Sequence, residues 1–137
     1  MKDLTTDERL AQVPLFAGLS KKELVAVSSL ATRLDLTAGK ELTKQGETGN
    51  EFVIILDGEV NVVIDGNVVA TRGPGDYFGE IALLSERPRT ATVVAKTAVA
   101  IEVIGRREFR GLVDDQPAIE AQLRAVMAER LDADDID

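Results

Sequence analysis

The 137-residue chain contains no cysteine, no histidine and no tryptophan, and its aromatic content is one tyrosine and four phenylalanines. Without cysteine there is no disulfide frame and no thiolate to bind a metal or act as nucleophile. Without histidine the usual zinc and iron ligand sets go, together with the side chain best suited to proton transfer near neutral pH. Most hydrolase and metalloenzyme chemistries are thereby excluded. Positive charge is also in deficit: 16 Lys and Arg against 24 Asp and Glu give a formal net charge of -8, which repels a nucleic-acid backbone, and no lysine-rich stripe offsets it. No nucleic-acid partner is expected. Apolar runs are short, none approaching the ~18 residues of a membrane span. The N-terminus, with Lys2, Asp3, Asp7 and Glu8, has neither the apolar core of a secretory signal nor the composition of a transit peptide. A cytoplasmic protein with no membrane partner is the expectation.

This length suits a single domain over residues 1–137, too short to add a second catalytic or DNA-reading module. Residues 1–31 read as helical. Thr6 can cap a short helix that runs to about Leu10 and is interrupted by Pro14. Ser20 and Glu23 have capping-box spacing ahead of Leu24, Val27, Leu30 and Ala31, which predicts a helix over 21–31. Leu15, Phe16 and Leu19 read as a turn that staples these pieces to a core. From Thr32 to Gly105 the pattern changes to short β-type runs punctuated by turn residues, as in a sandwich or barrel. Strands are expected at 33–36, 41–44, 52–56, 59–64, 67–72, 92–95 and 98–104. Asp57-Gly58 and Asp65-Gly66 supply the positive φ of tight turns, predicting two adjacent antiparallel hairpins. Helical character returns at 106–113. Asp115-Gln116-Pro117 then opens a last helix with Ile119, Leu123, Val126, Met127 and Leu131 on one stripe. Residues 132–137 are an acidic tail with no apolar period, expected to fray.

The densest chemistry lies in Phe78-Gly79-Glu80-Ile81-Ala82-Leu83-Leu84, followed after a polar gap by Pro88-Arg89-Thr90-Ala91-Thr92. Gly79 lets the backbone approach closely, and a short helical turn after it would point free amides outward, a ready anion site. Arg89 offers a planar fork of donors matched to two phosphate oxygens. Glu80 is an acceptor suited to a sugar hydroxyl, and a carboxylate beside a phosphate site needs such a donor of its own. A ligand carrying both phosphate and ribose is implied. The plainer alternatives are a solvated arginine paired with Glu86 or Glu80, and a glutamate that merely favours the first turn of a helix.

The segment resembles the phosphate-binding cassette of cyclic nucleotide-binding domains, whose pattern is close to Phe-Gly-Glu-aliphatic-Ala-Leu-aliphatic, a gap, then Arg-(Ala/Ser/Thr)-Ala. The resemblance extends to Pro14-Leu15-Phe16-Ala17-Gly18-Leu19-Ser20, Gln45-Gly46 and Asp57-Gly58-Glu59-Val60. It implies a mainly β fold with flanking helices: an antiparallel β jelly roll (double-stranded β-helix) of roughly eight strands over 32–105 that carries the cassette at 78–92. N-terminal helices precede it, and C-terminal hinge helices follow over 106–131. The implied function is a non-enzymatic sensor or regulatory module whose ligand is cyclic AMP in preference to cyclic GMP, with no cofactor and no metal. Binding would shift the population of conformations of the C-terminal helices. The rival within the same fold is a non-catalytic interaction scaffold that no longer binds nucleotide.

Residue by residue, the resemblance assigns Arg89 to the phosphate, Glu80 to the ribose 2′-hydroxyl, and Gly79, Ile81 and Ala82 to backbone contacts around the sugar phosphate, with Thr90 and Ala91 completing the set. Threonine at position 90 leaves the base open, since in the family it can hydrogen-bond the amino group of syn guanine yet also occurs in relatives that respond to cyclic AMP. Val62 and Ile64 alternate on one strand face and are either sandwich core or a hydrophobic wall beside the purine. Asn50 departs from kinase regulatory subunits, where an acidic residue orients the cassette arginine; an amide can accept from Arg89 but brings no charge. Leu83 or Leu84 is expected to move against the hinge, Arg124, Met127 and Arg130 are candidates to cap the base, and the last helix is a candidate surface for an effector protein or a second copy.

Overall fold

Side chains alternate between the two faces of a strand, so a strand that is apolar throughout is stable only when both faces are covered. The strand at residues 51–57 is apolar from Phe52 to Leu56 and buried at each of those five positions. The structure, a computed structural model, describes residues 10–80, 83 and 87–132, without the side chains of residues 126, 127 and 130–132. Among the described residues the strands are β1 (Ala31–Leu36), β2 (Glu41–Thr43), β3 (Glu51–Asp57), β4 (Val60–Ile64), β5 (Asn67–Arg72), β6 (Tyr77–Phe78), β7 (Thr92–Ala95) and β8 (Val99–Gly105). They make two four-stranded sheets with the orders β1-β8-β3-β6 and β2-β7-β4-β5. The pairs β1·β8, β2·β7, β3·β6 and β4·β5 are all antiparallel and are those of one long ribbon wound round on itself, which is the jelly roll.

Two cores result. Val53, Ile55, Val99, Ile101 and Val103 of the first sheet meet Val60, Val62, Val93 and Ala95 of the second between the sheets. On the first sheet's other face, Phe52, Ile54, Leu56, Ala100 and Ile104 are covered by helices: a 3₁₀ turn at Pro14–Phe16, α1 (Lys21–Leu30), α2 (Arg106–Asp115) and α3 (Pro117–Asp132). Phe109 of α2 lies against Phe52 with ring centroids 4.8 Å apart, and Phe52 against Tyr77 at 5.6 Å. Each such fully buried side chain contributes roughly 1.5–3 kcal/mol. One carboxylate sits on this covered face: Glu102, 2% exposed, between Arg33 and Ile54 in the register. Burial pushes its carboxyl above the ordinary value, with Arg33 opposing.

The capping box is present, with Glu23 N–H donating to Ser20 Oγ at 3.2 Å and Ser20 N–H to Glu23 Oε1 at 2.8 Å. α1 ends at Leu30 because Ala31 is already paired with Ile104 in the sheet. The helix expected from Thr6 to about Leu10 falls almost wholly outside the described residues, as does the tail beyond Asp132. Asp65-Gly66 is a hairpin turn, with φ of 52° and 83° and Ile64 opposite Asn67. Asp57-Gly58 is not: β3 and β4 belong to different sheets, and this dipeptide carries the chain from one to the other. A Cβ on Gly58 would overlap the Ala98 carbonyl and Val99, so the crossing passes tight against the end of β8. Turn chemistry is local, whereas the partner of a strand is chosen by burial. β6 was not expected, its two residues being too short to show a period. No helix among the described residues is long and apolar enough to cross a membrane.

Candidate ligand-binding site

The site begins where β6 ends. Phe78 is buried between the sheets, and the chain then turns at Gly79 with φ of +103°. A Cβ at this position would lie 2.5 Å from the Glu51 carbonyl oxygen and 2.7 Å from Nη1 of Arg89, so glycine is required both by the dihedral and by the space. Glu80 and Leu83 are helical, and the Leu83 N–H donates to the Gly79 carbonyl at 3.3 Å. Ile81, Ala82 and Leu84 lie outside the described residues.

Arg89 is 5% exposed, and its Nη2 donates to the Glu51 carbonyl at 2.7 Å. Its main chain is held as firmly: its N–H donates to Glu47 O at 2.8 Å and its carbonyl accepts from Gly46 N–H at 2.8 Å. Two residues on, Thr43 Oγ1 donates to Ala91 O at 3.3 Å and Gln45 N–H to Thr92 Oγ1 at 3.0 Å. The loop after β2 is thus zipped along residues 89–92, and this zip aims the arginine inward. A solvated surface arginine is ruled out by the burial. Glu80 has no exposed surface, so it is not an ordinary first-turn acid either. Taking a guanidinium out of water is expensive unless it meets hydrogen-bond acceptors or an anion, and Arg89 beside the Gly79 turn is placed to meet both.

Ala91 is fully buried and Thr90 half-buried at the same end of the sandwich. Val62 is wholly core, opposite Val93; Ile64, on the same face one step nearer the β4–β5 turn, is only half-buried. Since Val63 pairs with Thr92, Ile64 stands next to the segment leaving Arg89. The structure brings Gly79 against Arg89, places Ile64 beside the segment that leaves Arg89 through Thr90 and Ala91, and leaves Val62 a step deeper in the core.

Three features were not read from the sequence. Arg89 donates to the main-chain carbonyl of Glu51, and the side chain of Asn50 is exposed. Asn50 instead gives its carbonyl to the Arg106 N–H at 2.8 Å, while the Arg106 guanidinium makes a short hydrogen bond to the Gly49 carbonyl. One helical turn further along α2, Arg110 Nη2 donates to the Leu83 carbonyl at 3.2 Å. The i, i+4 spacing of these arginines was the available signal that both act from one face of α2. Leu83 itself is fully buried in the cluster that holds Phe109, Leu112 and Val113. Of the base-capping candidates, Arg124 is paired with Glu120 at 2.9 Å on the exposed side of α3, and the side chains of Met127 and Arg130 are outside the description. Ile119 and Leu123 of the α3 stripe are buried in the protein's own core.

A family model described as cyclic nucleotide-binding domain matches residues 33–116. The cAMP-dependent protein kinase regulatory subunit of Schizosaccharomyces pombe is 38% identical over 105 residues, covering 76% of this chain and 26% of that protein. The CRP-like cAMP-activated global transcriptional regulator of Mycobacterium tuberculosis is 32% identical over 130 residues, covering 91% of this chain and 58% of that protein. The chain therefore spans well under two thirds of either relative. Among solved structures, the regulatory domain of Toxoplasma gondii PKA with cAMP superposes with a TM-score of 0.80 at 28% identity, over 90% of this chain and 49% of that one. With most of the sandwich, all of α2 and the Arg89 segment inside the matched region, the chain belongs to the cyclic nucleotide-binding domain family.

Proposed function

We propose that the chain binds a purine 3′,5′-cyclic nucleotide, cyclic AMP in preference to cyclic GMP, and acts as a regulatory module. The observation that carries this reading is the Arg89 guanidinium, 5% exposed and packed against the Gly79 turn. A cyclic phosphate presents two exocyclic oxygens to such a fork. Glu80 then takes the ribose 2′-hydroxyl, and the base extends toward Thr90 and Ile64. The names of the kinase subunit and the transcriptional regulator, and the cAMP in the Toxoplasma structure, support the same ligand and a regulatory rather than catalytic role.

Both charged residues lie inside the protein, so a nucleotide reaches them only as the cassette shifts. Leu83 is buried in the same cluster as Phe109, Leu112 and Val113, while Arg110 and Arg106 tie α2 to both sides of the site. Movement of the cassette is thus passed to α2 and α3, a shift between two packings of one core. The output goes to an effector protein or a second copy through surfaces of these helices other than Ile119 and Leu123.

Calorimetric titration with cyclic AMP and cyclic GMP tests the reading. The unaltered protein is expected to bind both, cyclic AMP more tightly. Arg89→Ala should lose about 3 kcal/mol or more, over a hundredfold in affinity. No heat from either nucleotide leaves the interaction scaffold; unchanged affinity in Arg89→Ala removes the assigned phosphate site.

A further inference from the structure

We infer that Gln45 is a positioning residue for base discrimination, fixing the β4–β5 turn against the segment that carries Arg89. The inference rests on the nucleotide-binding reading above. In the second sheet β7 lies between β2 and β4, and its last ladder pair with β4 at this end is Thr92 with Val63. Beyond that pair no strand hydrogen bond relates the end of β2 to the end of β4. Gln45 spans the gap. Its N–H donates to Thr92 Oγ1 at 3.0 Å, within the zip that aims Arg89. Its side chain reaches the other way to the first residue of the β4–β5 turn: Oε1 accepts from the Asp65 N–H at 2.9 Å, and Nε2 donates to Asp65 Oδ1 at 3.0 Å.

A primary amide is the group that closes on one residue through both a donor and an acceptor. A carboxylate of equal length would face the charge of Asp65, and an alanine would leave the turn tied only to its own hairpin, β4 and β5. Asp65 follows Ile64 directly, so the clamp sets how far the half-buried wall at Ile64 stands from the phosphate anchor at Arg89. A wall at fixed distance penalises the purine that does not fit it. A loose wall follows either base and discriminates less.

The test compares affinities for cyclic AMP and cyclic GMP, and thermal stability, across four proteins and the unaltered one. Gln45→Ala is expected to weaken cyclic AMP about fivefold and to bring the two affinities together. Gln45→Glu should do the same, and adding Asp65→Asn should restore both affinity and preference, because the donor and acceptor are exchanged across the pair and asparagine tolerates the positive φ. Thr71→Ala is the structural control. It removes a 3.0 Å hydrogen bond to Asn61 on the outer face of the same hairpin and should lower stability without altering the nucleotide ratio. If Gln45→Ala binds both nucleotides as the unaltered protein does, or weakens both equally as a merely looser hairpin would, the assignment is wrong while nucleotide binding stands. If the unaltered protein binds neither, the nucleotide reading fails first and this assignment goes with it.

Discussion

Replacing Gly79 by alanine should damage both stability and binding, because the added methyl meets the two groups that define the site. The φ of +103° alone disfavours any residue with a Cβ by roughly 1–3 kcal/mol. The methyl would then sit 2.5 Å from Glu51 O and 2.7 Å from Arg89 Nη1, so either the β3 backbone or the guanidinium must give way. Either movement stretches the 2.7 Å hydrogen bond between Arg89 and Glu51, a charge-assisted contact worth about 1.5–3 kcal/mol. Together these predict a loss of about 3–5 kcal/mol, a large share of the ~5–15 kcal/mol that holds a domain folded, and a fall in Tm on the order of 10 °C. Thermal melting and urea titration measure it, with calorimetry on the folded protein at low temperature for cyclic AMP. Gly58→Ala is the comparison: it has φ of +83° and a blocked Cβ at the Ala98 carbonyl, so it should destabilise comparably, yet it lies at the sheet crossing and should leave nucleotide affinity intact. A Gly79→Ala protein that melts within about 2 °C of the original, or binds cyclic AMP as well as Gly58→Ala does, refutes the reasoning.

Glu102→Gln should stabilise the protein at pH 7. Burial raises the folded-state carboxyl above its ordinary value, so its stabilising contribution is present below the unfolded-state pKa and is lost as pH rises through the folded one. The melting curves of the variant and the original should converge on acidification through that window, and coincident curves at pH 7 would count against a burial cost at Glu102. Ser20→Ala removes the hydroxyl that accepts from Glu23 N–H in the capping box that starts α1, keeping the main-chain N–H at position 20 that donates to Glu23, and should cost about 1 kcal/mol in urea unfolding without changing nucleotide affinity; an unaltered midpoint would show the cap to be idle.

The candidate site is legible in the sequence because its parts are consecutive. Phe78-Gly79-Glu80 and Arg89-Thr90-Ala91 carry their chemistry in residue type and spacing, and their close approach follows from one short excursion of chain. The same holds for the Ser20–Glu23 box, the Asp65-Gly66 hairpin and Pro117 at the start of α3, where local dihedrals and capping bonds decide the outcome. The reading faltered wherever a residue's role is set by what comes from elsewhere in the chain. Asp57-Gly58 has the same turn chemistry as Asp65-Gly66 but joins two sheets, because burial pairs β3 with β8 and β6. Val62 and Ile64 are equivalent in alternation, and only their depth in the sandwich makes one core and leaves the other half-buried.

By itself, then, the sequence determined the β sandwich with helices before and after it in the chain, and singled out Glu80 and Arg89 as the charged residues of the candidate site. Tertiary structure alone decided that both are buried, that Arg89 leans on the Glu51 carbonyl, that Gln45 clamps Asp65, and that Arg106 and Arg110 join α2 to the site. The physical reason is that main-chain carbonyls are alike in every residue, and which of them comes within reach of a given donor is settled only when distant strands pack.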